Sequence, residues 1–128
     1  VFTDELLCLL EESACLLVDA RASERFKGLV EPLDAKAGHV PGAVNYPFTN
    51  NIDTQGHWLS SAVLRERWST QLGAHSPRDV VHMCGSGVTA CHNVLAMELA
   101  GLVGCRLYAP SFSGWIADDS RPVGFVSR

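Results

Sequence analysis

At 128 residues the chain is one domain's worth, long enough to bury a core without disulfide or metal staples. Its content of 47% hydrophobic and 19% charged residues is that of a globular domain in water, and a net charge of −4 argues against nucleic-acid or membrane-surface partners, which favour basic patches. No apolar run approaches the ~18 residues of a membrane span, and five cysteines (Cys8, Cys15, Cys84, Cys91, Cys105), an odd number with no C-x-x-C, argue against a disulfide framework or zinc site and fit reduced thiols in the cytoplasm.

The chain starts at Val1 with no signal-like segment, as an excised fragment would. Thr3 is placed to cap a first helix, with Asp4 and Glu5 in its first turn and Leu6, Leu7 and Leu10 facing inward. "CLLVDAR" (15–21) is a short apolar run ending in charge, the pattern of a buried strand. "SERF" (23–26) makes one helical turn, and residues 28–42, rich in glycine and proline, form a long loop. "AVNYPF" (43–48) is a second strand stopped by Pro47.

Ser60 or Ser61 opens a helix with Leu64, Trp68 and Leu72 on one face, and Gly73 ends it. "VVHM" (80–83) is a third strand. Val88, Cys91, Leu95, Leu99 and Leu102 mark the inner face of the next helix, and "CRLYA" (105–109) is a fourth strand before an irregular tail. Alternating strands and helices predict an α/β fold, a parallel sheet covered on both faces, with ligands gathering at the carboxyl ends of strands.

Cys84 stands at that end of the most apolar strand, in "VVHMCGSGVTACH" (80–92). Gly85 and Gly87 allow the backbone to fold tightly around the sulfur. The N–H groups of the loop and of a first helical turn over 88–90 are expected to converge there, a nest that favours thiolate over thiol. The alternative is a buried core cysteine, the reading that suits Cys91 on its apolar stripe and also Cys8, Cys15 and Cys105. A phosphate-binding P-loop is excluded because no lysine follows the glycines. A cysteine phosphatase is disfavoured because Ala90 stands where its phosphate-clamping arginine belongs.

Four ordered segments resemble the rhodanese family of sulfurtransferases: "LLVDARASERFKG", "GHVPGAVNYPF", "CGSGVTACH" and "LYAPSFSGW". The resemblance covers nearly the whole chain. It implies a rhodanese-like α/β domain over residues 1–128, about five parallel strands with helices on both faces. It further implies that the domain is the second, catalytic one of a two-domain chain, with the N-terminal rhodanese-like domain as its partner.

The chemistry implied is transfer of a sulfane sulfur from 3-mercaptopyruvate or thiosulfate to a thiol or cyanide through a persulfide on Cys84, with no cofactor and no metal. Gly85, Ser86 and Gly87 match the G-S-G of members preferring 3-mercaptopyruvate. Ser86 then assists proton movement, or else is a plain turn residue. Arg25 matches an arginine that binds the donor's anionic group; its alternative is a solvated surface charge. Val88 and Thr89 complete the donor-binding loop with Gly85 and Gly87.

A second donor-binding arginine expected after Glu31 and Pro32 is Leu33 here, with Lys36 as the nearest substitute. Pro110 and Phe112 replace the usual Gly and Trp of the closing segment, whereas Trp115 remains. His39 is read as structural, His82 as a packed strand residue, and Asp19 and Arg21 as structural partners. His57, His75 and His92 show no metal spacing. The rival reading of the whole chain is a non-catalytic rhodanese-like binding module.

Overall fold

The computed structural model describes residues 1–32, 34, 36–85 and 87–124. In chain order the elements are α1 (Thr3–Glu11), β1 (Leu16–Asp19), α2 (Ser23–Phe26), β2 (Val44–Asn45), α3 (Ser61–Leu72), β3 (Val80–Met83), α4 (Ala90–Leu99), β4 (Arg106–Leu107) and α5 (Ser111–Trp115). Short 3-10 turns over Phe48–Asn51 and Pro77–Asp79 precede α3 and β3.

The strands make one parallel sheet in the order β2-β1-β3-β4. Leu17 lies opposite Val81, Val18 opposite Val44 and His82, and His82 opposite Leu107. Alternation along the strands divides the core. Val18 and Val80 pack with Leu64, Trp68, Leu72, Ala96 and Met97 beneath α3 and α4. Leu17, Val81 and Met83 pack with Leu6, Tyr108, Phe112 and Trp115 beneath α1 and α5. From β1 the chain passes to one side of the sheet and from β3 to the other, so the switch point lies between their carboxyl ends. The turn after Asp19 and the loop after Met83 both leave there.

The α/β architecture stands as read, with four strands among the described residues rather than about five. Edge strand β2 is two residues long because Pro47 has no N–H to continue a ladder, although the Tyr46 and Phe48 amides still reach Asp19 and Ala20 carbonyls at 2.9 and 3.1 Å. Thr3 is the first helical residue and not the cap; Phe2 holds that position without a side-chain bond, and the Thr3 hydroxyl pairs with the Tyr108 hydroxyl at 2.8 Å. Leu6 is buried but Leu7 is exposed. Ser60 caps α3 through the Val63 amide, and Gly73 closes it at φ 57°.

The reading of α4 is overturned. Val88, Cys91, Leu95 and Leu99 face solvent, and of the expected stripe only Leu102 is buried. The inner face is Ala90, Asn93, Ala96 and Met97. Small side chains let this helix approach the sheet closely, and Asn93 belongs inside because it has partners: it donates to the Tyr46 carbonyl at 3.0 Å and accepts from Asn51 at 2.7 Å. Ser111–Trp115 fold into α5, and the tail from Ser113, read as mostly irregular, is past that helix turns and bends over 116–121. No helix of the described residues is long and apolar enough to cross a membrane.

Candidate active site

The turn after β1 is built on an ion pair out of water. Arg21 donates from Nε and Nη2 to both Asp19 oxygens, the shortest contact being 2.8 Å, with side-chain exposures of 1% and 0%. Burial of two charges is tolerated because Arg21 has further partners, although its Nη1 makes no hydrogen bond among the described residues and lies 3.6 Å from Glu31 Oε1. Arg21 Nη2 also donates to the Gly38 carbonyl at 2.6 Å, and its guanidinium lies 4.1 Å from the centroid of Phe112. Asn45 fastens the same turn from β2, donating to the Asp19 and Arg21 carbonyls at 3.0 and 2.9 Å and accepting from Ser23 at 3.0 Å. Asp19 and Arg21 are therefore structural, as expected. Their work is to hold α2 so that Arg25 points over the loop after β3.

That loop turns sharply around Cys84. The Gly87 amide donates to Cys84 Sγ at 3.0 Å. Gly87 sits at φ 93°, and a Cβ there would lie 2.6 Å from the Ala109 carbonyl oxygen, so only glycine fits. At Gly85 a Cβ would come 3.2 Å from Arg25 Nη2, so this glycine lets the guanidinium lie close over the Cys84 loop, with Asp34 Oδ2 3.8 Å from the same point. Val88 and Thr89 form a turn ahead of α4, which begins at Ala90 and not at Val88. Among the described residues the Gly87 amide is the donor to Sγ, so the expected convergence of several amides is represented there by one. Ser86 lies outside the described residues, as does Leu33.

The closing segment clamps the loop from the other side. The Cys84 amide donates to Ser111 Oγ at 3.2 Å, and the Ser111 hydroxyl donates to the Tyr108 carbonyl at 2.9 Å. Ser111 takes φ 55°, an uncommon conformation for a residue with a side chain, which these bonds hold in place. The Phe112 and Ser113 amides donate to the Cys84 and Gly85 carbonyls, each at 2.9 Å.

Together these elements enclose a cleft of about 400 Å³ lined by Arg25, Asp34, Cys84, Gly85, Val88, Thr89 and Ser113. Five of the residues expected at the site from the sequence therefore line one cleft, Arg25, Cys84, Gly85, Val88 and Thr89, and a sixth, Gly87, donates to Cys84 Sγ. Cys84 is 2% exposed, packs with Ala20 and Ala90 and lines the cleft. Two clefts of similar size, one under Tyr46 and Arg67 and one between Leu7 and Trp115, are lined by no cysteine.

Arg25 is not a solvated charge. Its Nη2 pairs with Glu31 Oε2 at 3.1 Å and Asp34 Oδ2 at 3.2 Å, and Nε donates to Glu31 Oε1 at 3.3 Å. Asp34 also accepts from the Ser113 hydroxyl at 2.6 Å. Asp34, Ser111 and Ser113 escaped the sequence reading because they come from separate segments that only folding joins. The polar residues inside the "LYAPSFSGW" motif were the one available signal. Lys36 pairs with Asp119 at 2.9 Å and is not part of the cleft.

The other cysteines separate from Cys84. Burial, with Glu98 nearby, pushes the Cys105 thiol up to about 11, and burial also raises that of Cys15. Cys8 and Cys91, expected in or near the core, are exposed. The Cys91 thiol donates to the Gly87 carbonyl at 3.4 Å. His82 is packed between Trp68 and Met97, its Nε2 3.0 Å from the Met97 sulfur, and burial lowers it to about 4. His39 is structural: its ring stacks on Phe26 at 3.9 Å and its Nδ1 lies 2.7 Å from the Phe26 carbonyl.

Known proteins share this framework. A protein of Pseudomonas aeruginosa named "Probable 3-mercaptopyruvate sulfurtransferase" is 50% identical over 107 residues, covering 84% of this chain and 38% of that protein. The 3-mercaptopyruvate sulfurtransferase of Homo sapiens is 38% identical over 121 residues, covering 93% of this chain and 40% of that one. The structure of 3-mercaptopyruvate sulfurtransferase from Leishmania major superposes with a TM-score of 0.72 at 33% identity, over 88% of this chain and 31% of that one. The chain thus spans about two fifths of the length of the curated relatives it matches. A strand-end cysteine under a glycine amide is compatible with several folds, but here it sits on this parallel sheet and within a match to the rhodanese-like domain over residues 2–118, and the chain belongs to that family.

Proposed function

We propose that the chain is the catalytic part of a sulfurtransferase, with Cys84 as the carrier of the transferred sulfur. The observation that carries this reading is the placement of Cys84 Sγ: at the switch point of the sheet, 3.0 Å from the Gly87 amide, in a cleft shared with Arg25. An N–H donor and a nearby guanidinium favour an anionic sulfur, and both thiolate and persulfide are anions. The names carried by the relatives support the same chemistry.

With 3-mercaptopyruvate, the Cys84 thiolate attacks the donor sulfur. An S–S bond forms, the donor's C–S bond breaks, and its electron pair leaves on carbon as the enolate of pyruvate, which takes up a proton. With thiosulfate the S–S bond of the donor breaks and sulfite leaves. A thiolate or cyanide then attacks the outer sulfur and restores the Cys84 thiolate, giving a new persulfide or thiocyanate. Arg25 orients the donor's acid group, Gly85 and Gly87 keep the approach to sulfur open, and Val88 and Thr89 wall the cleft. Ser86 is assigned proton movement at the donor, by its place in the G-S-G loop.

3-Mercaptopyruvate is the favoured donor, since the cleft offers one arginine and no basic residue follows Cys84 in the loop. The greater length of the relatives supports a preceding rhodanese-like domain in the full protein. Five unpaired cysteines suit a reducing compartment such as the cytoplasm.

The test is to incubate the protein with each donor and weigh it intact. A gain of one sulfur atom mapped to Cys84 and removed by cyanide is the expected result. Absence of the adduct with both donors overturns the reading in favour of a binding module.

A further inference from the structure

Among the described residues the charges around Cys84 do not balance. Arg21 and Arg25 are joined in one network to Asp19, Glu31 and Asp34: Arg21 to Asp19 at 2.8 Å and to Glu31 at 3.6 Å, Arg25 to Glu31 at 3.1 Å and to Asp34 at 3.2 Å. Asp19 and Glu31 suffice to neutralise the two guanidinium groups, and their side chains are 0% and 6% exposed. Asp34 is the surplus carboxylate. It is also the one that lines the cleft, on the same Arg25 Nη2 that hangs over Gly85. Its second oxygen is held by Ser113, whose backbone is tied to Gly85, so the carboxylate is fixed at this point and not swinging in solvent.

A carboxylate on the face of Arg25 that looks into the cleft does two things to an arriving anion. It occupies a position on the guanidinium that the anion's own acid group would take, and it repels the anion. The repulsion grows in proportion to the anion's charge. We propose that Asp34 is the specificity-determining residue of this cleft, a built-in carboxylate on Arg25 that donors must displace or sit beside and that disfavours dianionic donors more than monoanionic ones. The inference rests on the sulfur-transfer reading only for the identity of the anion; the charge selection is a property of the cleft itself.

Alkylation of Cys84 tests the charge selection without any sulfur donor. Iodoacetate is a monoanion and iodoacetamide its neutral counterpart, and the rate of each at Cys84 is read by mass spectrometry of the peptide that contains it. In Asp34→Asn the iodoacetate-to-iodoacetamide rate ratio rises about three- to tenfold, the range expected for removing one charge a few ångströms away in a partly solvated site. In Glu66→Gln, which changes the net charge equally on exposed α3, the ratio stays at the unaltered protein's value. An unchanged or lower ratio in Asp34→Asn, or an equal rise in both variants, overturns the proposal. If Asp34→Asn does not fold, Asp34→Ala carries the same comparison.

A second arm uses persulfide formation from the two candidate donors. Asp34→Asn lowers the concentration needed for half-maximal loading, and the fold-change for thiosulfate is on the order of the square of that for 3-mercaptopyruvate. Equal changes for the two donors overturn the donor-selecting role. A raised alkylation ratio with no loading by either donor would leave the charge selection standing and remove the sulfur-transfer reading instead.

Discussion

The Gly87 amide donates to Cys84 Sγ at 3.0 Å, while the other side of the same glycine presses against the Ala109 carbonyl oxygen, which an added Cβ would approach to 2.6 Å. The Cys84 loop is thereby locked onto the segment that follows β4. Gly87→Ala combines this clash with a φ of 93°. The backbone strain alone costs roughly 1–3 kcal/mol. Chemical denaturation is expected to show a loss of at least that size, and persulfide loading of Cys84 slows as the amide moves off the sulfur.

Cys84→Ser is expected to abolish sulfur loading and leave the fold intact. The hydroxyl is a weak nucleophile at neutral pH, whereas the side chain is nearly isosteric and its backbone remains tied to Ser111 and Phe112. Intact mass after donor treatment, with a thermal melt alongside, checks both halves. Near-full loading in this variant would remove Cys84 from the mechanism.

Arg25→Ala raises the half-saturating concentration of 3-mercaptopyruvate by about 10- to 100-fold, the worth of one charge-assisted hydrogen bond. Cys91→Ala changes it far less, since its exposed thiol touches only the Gly87 carbonyl, at 3.4 Å. Equal effects in the two variants would refute the donor-binding role of Arg25.

Arg21→Met leaves Asp19 as a buried carboxylate without its guanidinium partner, at 0% exposure. Removing one member of such a pair costs about 3–5 kcal/mol. Urea unfolding is expected to show a loss of that order. The double variant Asp19→Leu, Arg21→Met recovers part of it because no charge is then stranded.

His82 makes stability depend on pH in a defined window. Burial lowers it from 6.5 to about 4, so between those values the unfolded chain binds a proton that the folded chain does not. The contribution is fully present above 6.5 and is lost as pH falls toward 4, with a limiting slope of about 1.4 kcal/mol per pH unit. Urea midpoints measured from pH 7 to pH 4.5 are expected to fall less steeply in His82→Phe than in the unaltered protein.

Much of the layout of the candidate site was legible in the chain. The strand ending at Met83, the glycines beside Cys84 and the "SERF" turn carrying Arg25 are local signals, and each does locally what its residues permit. The face of α4 was not legible. Its apolar residues Leu95 and Leu99 outnumber the polar Asn93, yet they are exposed and Asn93 is inside because Asn51 and the Tyr46 carbonyl wait for it there. Periodicity counts apolar residues on one helix, and it has no knowledge of the polar partners that a neighbouring segment brings.

What the order of residues determined alone is the cysteine at the strand end, its flanking glycines and the alternation of strands and helices, because backbone freedom, strand pattern and helix capping act over a few neighbours. What only the tertiary structure decided is the company Cys84 keeps. Asp34 and Ser113 are 79 positions apart and meet at 2.6 Å because the sheet brings the ends of β1, β3 and β4 to one edge. The charge of the cleft is a sum over groups from three separate loops, and such a sum exists only once the chain has folded.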